Sequence, residues 1–209
     1  PFEALITKSD EGRSYHDFNY LINRFKVRYL ISSNVQKRVV RAIENDYKIL
    51  GIGFSNVSNG SQKGVGYAAL PGTEREIQFL EASFQGDFYL GEQGSRKRFL
   101  SEAMNYDIIH LAIHGKADSS NRFQSSLIFN GSDSLLNTNQ LYLANIHAQL
   151  AVLSACESGM GQIESGEGTF SIARGFAIVG VPNVVMSLWE VNDRTTSSQM
   201  VKFYQKFLD

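Results

Sequence analysis

The chain has 209 residues, enough for one large domain or two small ones around a substantial core. Its formal net charge of −1 gives no overall attraction to nucleic acid or to an anionic membrane. A single cysteine, Cys156, excludes an internal disulfide and a multi-cysteine metal site, and it favours a reducing compartment. Without a signal peptide or an apolar run of about 18 residues, we expect a cytoplasmic protein with no membrane segment. We therefore attribute the Asn-x-Ser sequons at Asn56, Asn59 and Asn130 to chance.

The first half of the chain alternates short apolar runs with helical patterns. In chain order, the predicted elements are a half-exposed strand at 25–32, a helix from Asn34 to Ile43, a buried strand at 48–55, a Gly/Ser/Asn-rich loop at 56–66, a helix after Thr73, a strand at 87–90 and a helix at 95–105. Thr73 and Glu76 have the spacing of a capping box, which predicts that Thr73 is the N-cap of its helix.

The second half repeats this alternation. The predicted elements are a buried strand at 108–114, a polar loop at 115–125, a strand at 126–130, a short helix at 138–144, a strand at 149–156, a glycine-rich loop at 157–167, a helix at 169–180 capped by Gly180, a strand at 184–189 and a helix from 195 onward. Strands that alternate with helices predict an α/β fold with a mostly parallel sheet and helices on both faces.

Two reactive side chains, His114 and Cys156, stand at the carboxyl ends of predicted buried strands. In a parallel sheet these ends share the edge where chemistry is done. A lone cysteine is more often a small buried hydrophobe than a nucleophile. A nucleophilic thiolate needs a partner such as an imidazole, which His114 offers. The backbone N–H groups of Gly115 and Cys156 would then stabilise an oxyanion.

Other motifs give weaker signals. On a strand, His110 and His114 would be roughly 13 Å apart, too far to share one metal ion, so we expect no metal site and interpret His110 as a core residue with satisfied hydrogen bonds. The GVGYAA motif at 64–69 formally fits a dinucleotide pattern but leads into Leu-Pro-Gly, so we expect no nucleotide cofactor. The basic cluster at 96–98 is typical of a solvated helix face and predicts no direct contact with nucleic acid.

On these residues the chain resembles the CHAT domain, a caspase-like cysteine peptidase family often fused to tetratricopeptide repeats. The matching segments are PFEAL at 1–5, LPGTERE at 70–76, YDIIHLAIHG at 106–115, VLSACESG at 152–159, GEG at 166–168 and SLWEVND at 187–193. The resemblance implies one caspase-like domain over 1–209, folded as a three-layer α/β sandwich and of bacterial origin. Because the chain begins at Pro1 and ends at Asp209 inside a predicted helix, we expect it to be a fragment that lacks the repeat domain.

The resemblance further implies a Cys–His dyad that needs no third residue and no cofactor. Cys156 would attack a peptide carbonyl to give a thioester acyl-enzyme, with His114 as general acid and base. It also implies a substrate pocket formed by Ser154, Trp189, Glu190 and Asp193. Ser154 is small and neutral, which argues against a charge preference at its position. Asp193 either selects a basic residue or caps the helix that follows it.

Three functions remain open from the sequence. The first is a regulated cysteine endopeptidase that cleaves specific protein partners under the control of a tetratricopeptide-repeat domain or an activator protein. The second is a catalytically silent scaffold with the same fold that binds partners. The third is a flavodoxin-like domain that binds a nucleotide or flavin. The pairing of His114 with Cys156 favours the first.

Overall fold

The computed structural model describes residues 6–8, 18–25, 46–55, 67, 70–116, 118, 124–154, 167–187 and 191–208, with only the backbone at 6–8, 167–171 and 208. The chain divides into two compact units, Pro1–Lys37 and Arg38–Asp209. In the first, strand β1 (Ile6–Lys8) pairs antiparallel with β2 (Asn19–Tyr20), and a short 3₁₀ turn follows. The strand predicted at 25–32 falls outside the described residues except for Phe25, and so do the helix predicted from Asn34 and the loop predicted at 56–66.

The second unit is built on alternating strands and helices. In chain order these are β3 (Ile49–Gly53), α1 (Pro71–Ser83), β4 (Gly86–Leu90), α2 (Arg96–Glu102), β5 (Ile108–Ala112), β6 (His114–Lys116), β7 (Ser126–Ile128), β8 (Leu135–Asn137), α3 (Thr138–Leu141), β9 (Leu150–Leu153), α4 (Glu167–Val179), β10 (Asn183–Met186) and α5 (Asp193–Leu208). None of the described helices has the length and apolar character that crossing a membrane requires.

The central sheet has five strands in the order β10-β9-β5-β3-β4, and every neighbouring pair is parallel. The chain runs from β3 outward to β4 and then returns through α2 to β5 on the other side of β3. The strand order therefore reverses between β3 and β5, and in parallel sheets of this kind ligands generally bind at the carboxyl edge beside such a reversal. A second sheet, β6-β7-β8, is antiparallel.

Helices cover both faces of the central sheet, because successive side chains of each strand point to opposite sides. On one face Ile108 and Val152 pack with Leu80 of α1 and Tyr204 of α5. The other face packs against α2, α3 and α4 through a cluster that includes Leu50, Ile109, Leu111, Phe99, Leu141 and Phe176. This arrangement confirms the predicted three-layer α/β sandwich.

Glycine in β3 lets α1 lie close to the sheet. A Cβ atom at Gly53 would stand 2.5 Å from Cγ2 of Thr73 and 2.8 Å from Cγ1 of Ile77, closer than real Cβ contacts allow. Gly53 therefore leaves the space that α1 needs to pack against β3. At the other end of the chain, Gly180 has a φ of 113° after α4, which agrees with its predicted role as a helix C-terminal residue.

The capping box predicted at the start of α1 is wrong. The helix begins three residues earlier, with Pro71 as its first residue and Leu70 as an N-cap that makes no side-chain bond. Proline suits this position because its fixed φ is already helical and its missing N–H would be unpaired there anyway. Thr73 instead donates its hydroxyl to the carbonyl oxygen of Ala112 at 3.3 Å, and Glu76 turns inward to the sheet.

Candidate active site

Backbone hydrogen bonds hold the carboxyl ends of β3, β5 and β9 next to one another. The N–H of Phe54, just past the end of β3, donates to the carbonyl of Ala112 at 2.8 Å. On the other side of β5, the N–H of Ser154 donates to the carbonyl of Leu111 at 3.0 Å. The chain segments that leave β3, β5 and β9 are therefore held together at one edge, and His114 follows β5 there.

His114 belongs to the antiparallel sheet rather than to the strand predicted to carry it. That strand ends at Ala112, and His114 opens β6, where it pairs with Ile128 of β7. Apart from His110, the residues from Ile108 to Ile113 are all apolar, so the change of sheet leaves no mark in the sequence. His114 is 2% exposed and Gly115 is also buried, so the hairpin fixes the backbone of both residues at this edge.

Two aromatic rings pack against the imidazole of His114. The ring of Phe54 lies with its centroid 4.6 Å away and its plane at 78°, an edge-to-face contact. The ring of Tyr67 lies 5.4 Å away and is tilted by only 31°, close to stacked. Contacts of these two geometries fix both the position and the plane of an aromatic ring. The imidazole is therefore held in one orientation before any substrate arrives.

The sequence did not identify Phe54 or Tyr67 as site residues. Phe54 has a usable signal, because it stands near the carboxyl end of the strand predicted at 48–55, at the edge proposed for catalysis. Tyr67 had none, since it follows a Gly-rich stretch whose path cannot be derived from its composition.

The predicted nucleophile, Cys156, lies outside the described residues, as do Trp189 and Glu190 of the predicted pocket. The described residue nearest to Cys156 in sequence is Ser154, which follows β9 at the same edge as His114. Ser154 is fully buried, and its hydroxyl has no hydrogen-bond partner within the described structure. Leaving a buried hydroxyl without a partner costs about 1–3 kcal/mol, which makes this atom a candidate contact for a substrate group.

Asp193, the fourth residue of the predicted pocket, joins two helices. Its carboxylate accepts the backbone N–H of Gly72 in the first turn of α1 at 2.5 Å, where the helix dipole favours a negative charge. Asn192 accepts the N–H groups of Arg194 and Thr195 and so serves as a side-chain cap of α5. The described contacts of Asp193 therefore link α5 to α1.

His110 lies on the opposite side of β5, in a buried polar network. Its Nδ1 lies 3.1 Å from the hydroxyl of Tyr204 and its Nε2 lies 3.1 Å from a carboxylate oxygen of Glu76. Burial, together with the nearby Glu76 carboxylate, raises the pKa of Tyr204 well above 10. The prediction of a core histidine with satisfied hydrogen bonds is confirmed. The described residues contain no group of three or more His, Cys, Asp or Glu side chains arranged to hold a metal ion.

Comparison with known proteins assigns a family to this arrangement. The family model described as the CHAT domain matches residues 1–209, the whole chain. That family is associated with caspase-like cysteine peptidases, whose α/β sandwich agrees with the fold found here. No curated protein matches the chain.

Proposed function

Since the chain belongs to the CHAT domain family, we propose that it is a regulated cysteine endopeptidase acting through Cys156 and His114. The observation that carries the proposal is the setting of His114. It is buried at the carboxyl edge of the sheet, where the strand order reverses, and two aromatic rings pack against its imidazole. An imidazole held in this way at a ligand-binding edge suits proton transfer to and from a bound substrate.

The proposed reaction uses the thiolate of Cys156 as nucleophile and the protonated imidazole of His114 as its partner. The sulfur attacks the peptide carbonyl carbon, and the carbonyl oxygen becomes an oxyanion that accepts the backbone N–H groups of Gly115 and Cys156. When the C–N bond breaks, His114 gives its proton to the leaving amine and a thioester remains. His114 then takes a proton from water, which attacks the thioester and releases the acid and the thiolate.

The pocket for the side chain before the cut is proposed to include Ser154, whose buried hydroxyl is available for a hydrogen bond. Because serine is small and uncharged, this position is proposed to impose no strong charge preference on the substrate side chain. Trp189 and Glu190 complete the proposed pocket.

The control of this activity is proposed to come from outside the catalytic unit. A peptidase in a reducing compartment must not cut proteins at random, so a tetratricopeptide-repeat domain or an activator protein would govern access to the site. Its substrates would be one or a few protein partners, and we place it in the cytoplasm, which the single cysteine supports.

A peptide-library cleavage assay tests the proposal. Wild-type protein should cut a defined set of peptides, with a preference in the residue before the cut, whereas Cys156→Ala and His114→Ala should each abolish cleavage. His110→Gln, in β5 on the face that packs against α1 and α5, serves as the control and should retain cleavage wherever it remains folded. If Cys156→Ala cuts as well as the wild type, the proposal is wrong. If the wild type cuts nothing when repeat domain and activator are supplied, a silent scaffold is the better description.

A further inference from the structure

We propose that Asn130 is a positioning residue for His114, acting through Ser55 and Phe54; this inference rests on the proposed catalytic role of His114. Asn130 lies two residues beyond the end of β7, and its side-chain amide forms two hydrogen bonds with one residue. Its Oδ1 accepts the N–H of Ser55 at 3.2 Å, and its Nδ2 donates to the carbonyl oxygen of Ser55 at 2.7 Å. A carboxamide that bonds both backbone groups of one residue fixes that residue much as a neighbouring strand would.

Ser55, which Asn130 holds in this way, directly follows Phe54. The ring of Phe54 makes the edge contact with His114, with the two ring centroids 4.6 Å apart. Phe54 is thus held from two sides. Its own N–H is bonded to Ala112 of β5, and the next residue in the chain is bonded to Asn130. Phe54 is 5% exposed, so its ring has little room to move unless this backbone moves.

These contacts connect the strand paired with His114 to the ring that packs against its imidazole. His114 pairs with Ile128 in the antiparallel sheet, and Asn130 follows Ile128 by two residues. Asn130 bonds the backbone of Ser55, Ser55 directly follows Phe54 in the chain, and the ring of Phe54 contacts His114. Asn130 is therefore the link by which β7, the strand paired with His114, also determines the position of the ring against its side chain.

The β7–β8 hairpin, whose connecting turn contains Asn130, is also held by Arg96. Loss of the Asn130 amide is therefore expected to leave the fold intact. The guanidinium of Arg96, at the start of α2, donates to the carbonyl of Leu135 at 3.0 Å and to the carboxylate of Asp133 at 2.6 Å. The role of Asn130 is thus separable from that of holding β7 and β8 to the rest of the unit.

Asn130→Asp tests the role, because it keeps the shape of the side chain but replaces the Nδ2 donor with an oxygen that faces the Ser55 carbonyl. A matched control is Asn183→Asp. The Nδ2 of Asn183 also donates to a backbone carbonyl, that of Gln149, at 3.0 Å, but at the opposite edge of the sheet. We expect kcat for peptide cleavage to fall about 10-fold or more in Asn130→Asp at nearly unchanged KM, because small misplacements of a catalytic group are costly. The control should stay within about 2-fold.

A second measurement does not depend on peptidase activity. The chain has four histidines, so the imidazole NMR signals of His114 and His110 can be assigned from single substitutions. Asn130→Asp should move the His114 signals and leave those of His110 in place, whereas Asn183→Asp should move neither. If Asn130→Asp does not fold, Asn130→Ala removes both bonds without adding a charge and is read in the same way.

Combining Asn130→Asp with Phe54→Leu tests whether Asn130 acts on His114 through Phe54. If Asn130 acts through Phe54, the combined loss of kcat is smaller than the product of the two single losses. If the two losses of kcat simply multiply, Asn130 does not act through Phe54. If the His114 signals are unchanged in Asn130→Asp, Asn130 does not position the imidazole at all. If the wild type cleaves nothing even when the repeat domain and activator are supplied, the proposed function fails, but the NMR comparison still decides whether Asn130 positions the imidazole.

Discussion

Replacing Glu76 with alanine separates two interpretations of this residue by the size of the stability loss. The sequence predicts a capping-box glutamate in the first turn of a helix, exposed and bonded to a backbone N–H. In the structure its carboxylate is buried, and it lies 3.1 Å from Nε2 of His110 in the core of the sandwich. The two environments predict different changes in the free energy of unfolding.

The magnitude follows from what the substitution leaves behind. His110 is fully buried, so its Nε2 would lose its partner in a place that water does not reach. An unpartnered buried polar group costs about 1–3 kcal/mol. The void left by the lost side chain adds about 1 kcal/mol at roughly 24 cal/mol per Å³. We therefore expect Glu76→Ala to lower the free energy of unfolding by about 3 kcal/mol. Loss of an exposed cap would cost about 1 kcal/mol.

Urea unfolding followed by circular dichroism measures the loss of unfolding free energy in each variant, provided that the m-value is the same for all of them. Glu74→Ala is the matched control. Glu74 lies on the same helix, is exposed and accepts only a side-chain bond from Gln78 at 3.1 Å among its described contacts. Its loss should cost about 0.2–0.5 kcal/mol. A Glu76→Ala variant that is no less stable than Glu74→Ala would refute the buried network.

Three further predictions concern the packing around this sheet. Because burial raises the pKa of Tyr204, folding favours its protonated form; the stability it contributes is present below the unfolded pKa of about 10 and is lost as pH rises above that value. Tyr204→Phe should therefore flatten the loss of stability measured between about pH 9.5 and 11, and an unchanged profile would contradict this assignment. Gly53→Ala should cost about 1–3 kcal/mol in urea unfolding, because its Cβ would stand 2.5 Å from Thr73; a neutral effect would mean that α1 can move away. Asp193→Asn should lower the melting temperature by weakening the bond to Gly72 while the residue preferred before the cut stays the same, and a changed preference would instead place Asp193 in the pocket.

The layered fold is predictable from the sequence because each central strand is a short apolar run between turn residues. The runs at 48–55, 108–114 and 149–156 contain β3, β5 and β9, and the helical patterns between them give the parallel connections. The order of the strands and the reversal between β3 and β5 depend on which strand each helix returns to, and no local pattern records that choice.

The surroundings of the candidate site were harder to predict for the same reason. Glu76 and His110 are 34 residues apart in sequence, and Asn130 and Ser55 are 75 apart, so each pair meets only in the folded chain. A local motif therefore assigned Glu76 to a cap, and Asn130 was interpreted only as a chance sequon. The boundary between β5 and β6 is also invisible in the sequence, because buried residues continue from β5 through Ile113 to His114 and Gly115 without a turn signal.

The most direct test of the proposed dyad is the rate at which iodoacetamide alkylates Cys156 at pH 6.5, in the wild type and in His114→Gln. The chain has one cysteine, so the label found by mass spectrometry can lie only there. A free thiol with a pKa near 8.5 is only about 1% thiolate at this pH, whereas a thiolate paired with a protonated imidazole reacts up to about 100-fold faster. We predict that the wild type is alkylated at least about 10-fold faster than His114→Gln. Equal rates in the two proteins would contradict the pairing of His114 with Cys156 and, with it, the proposed peptidase mechanism.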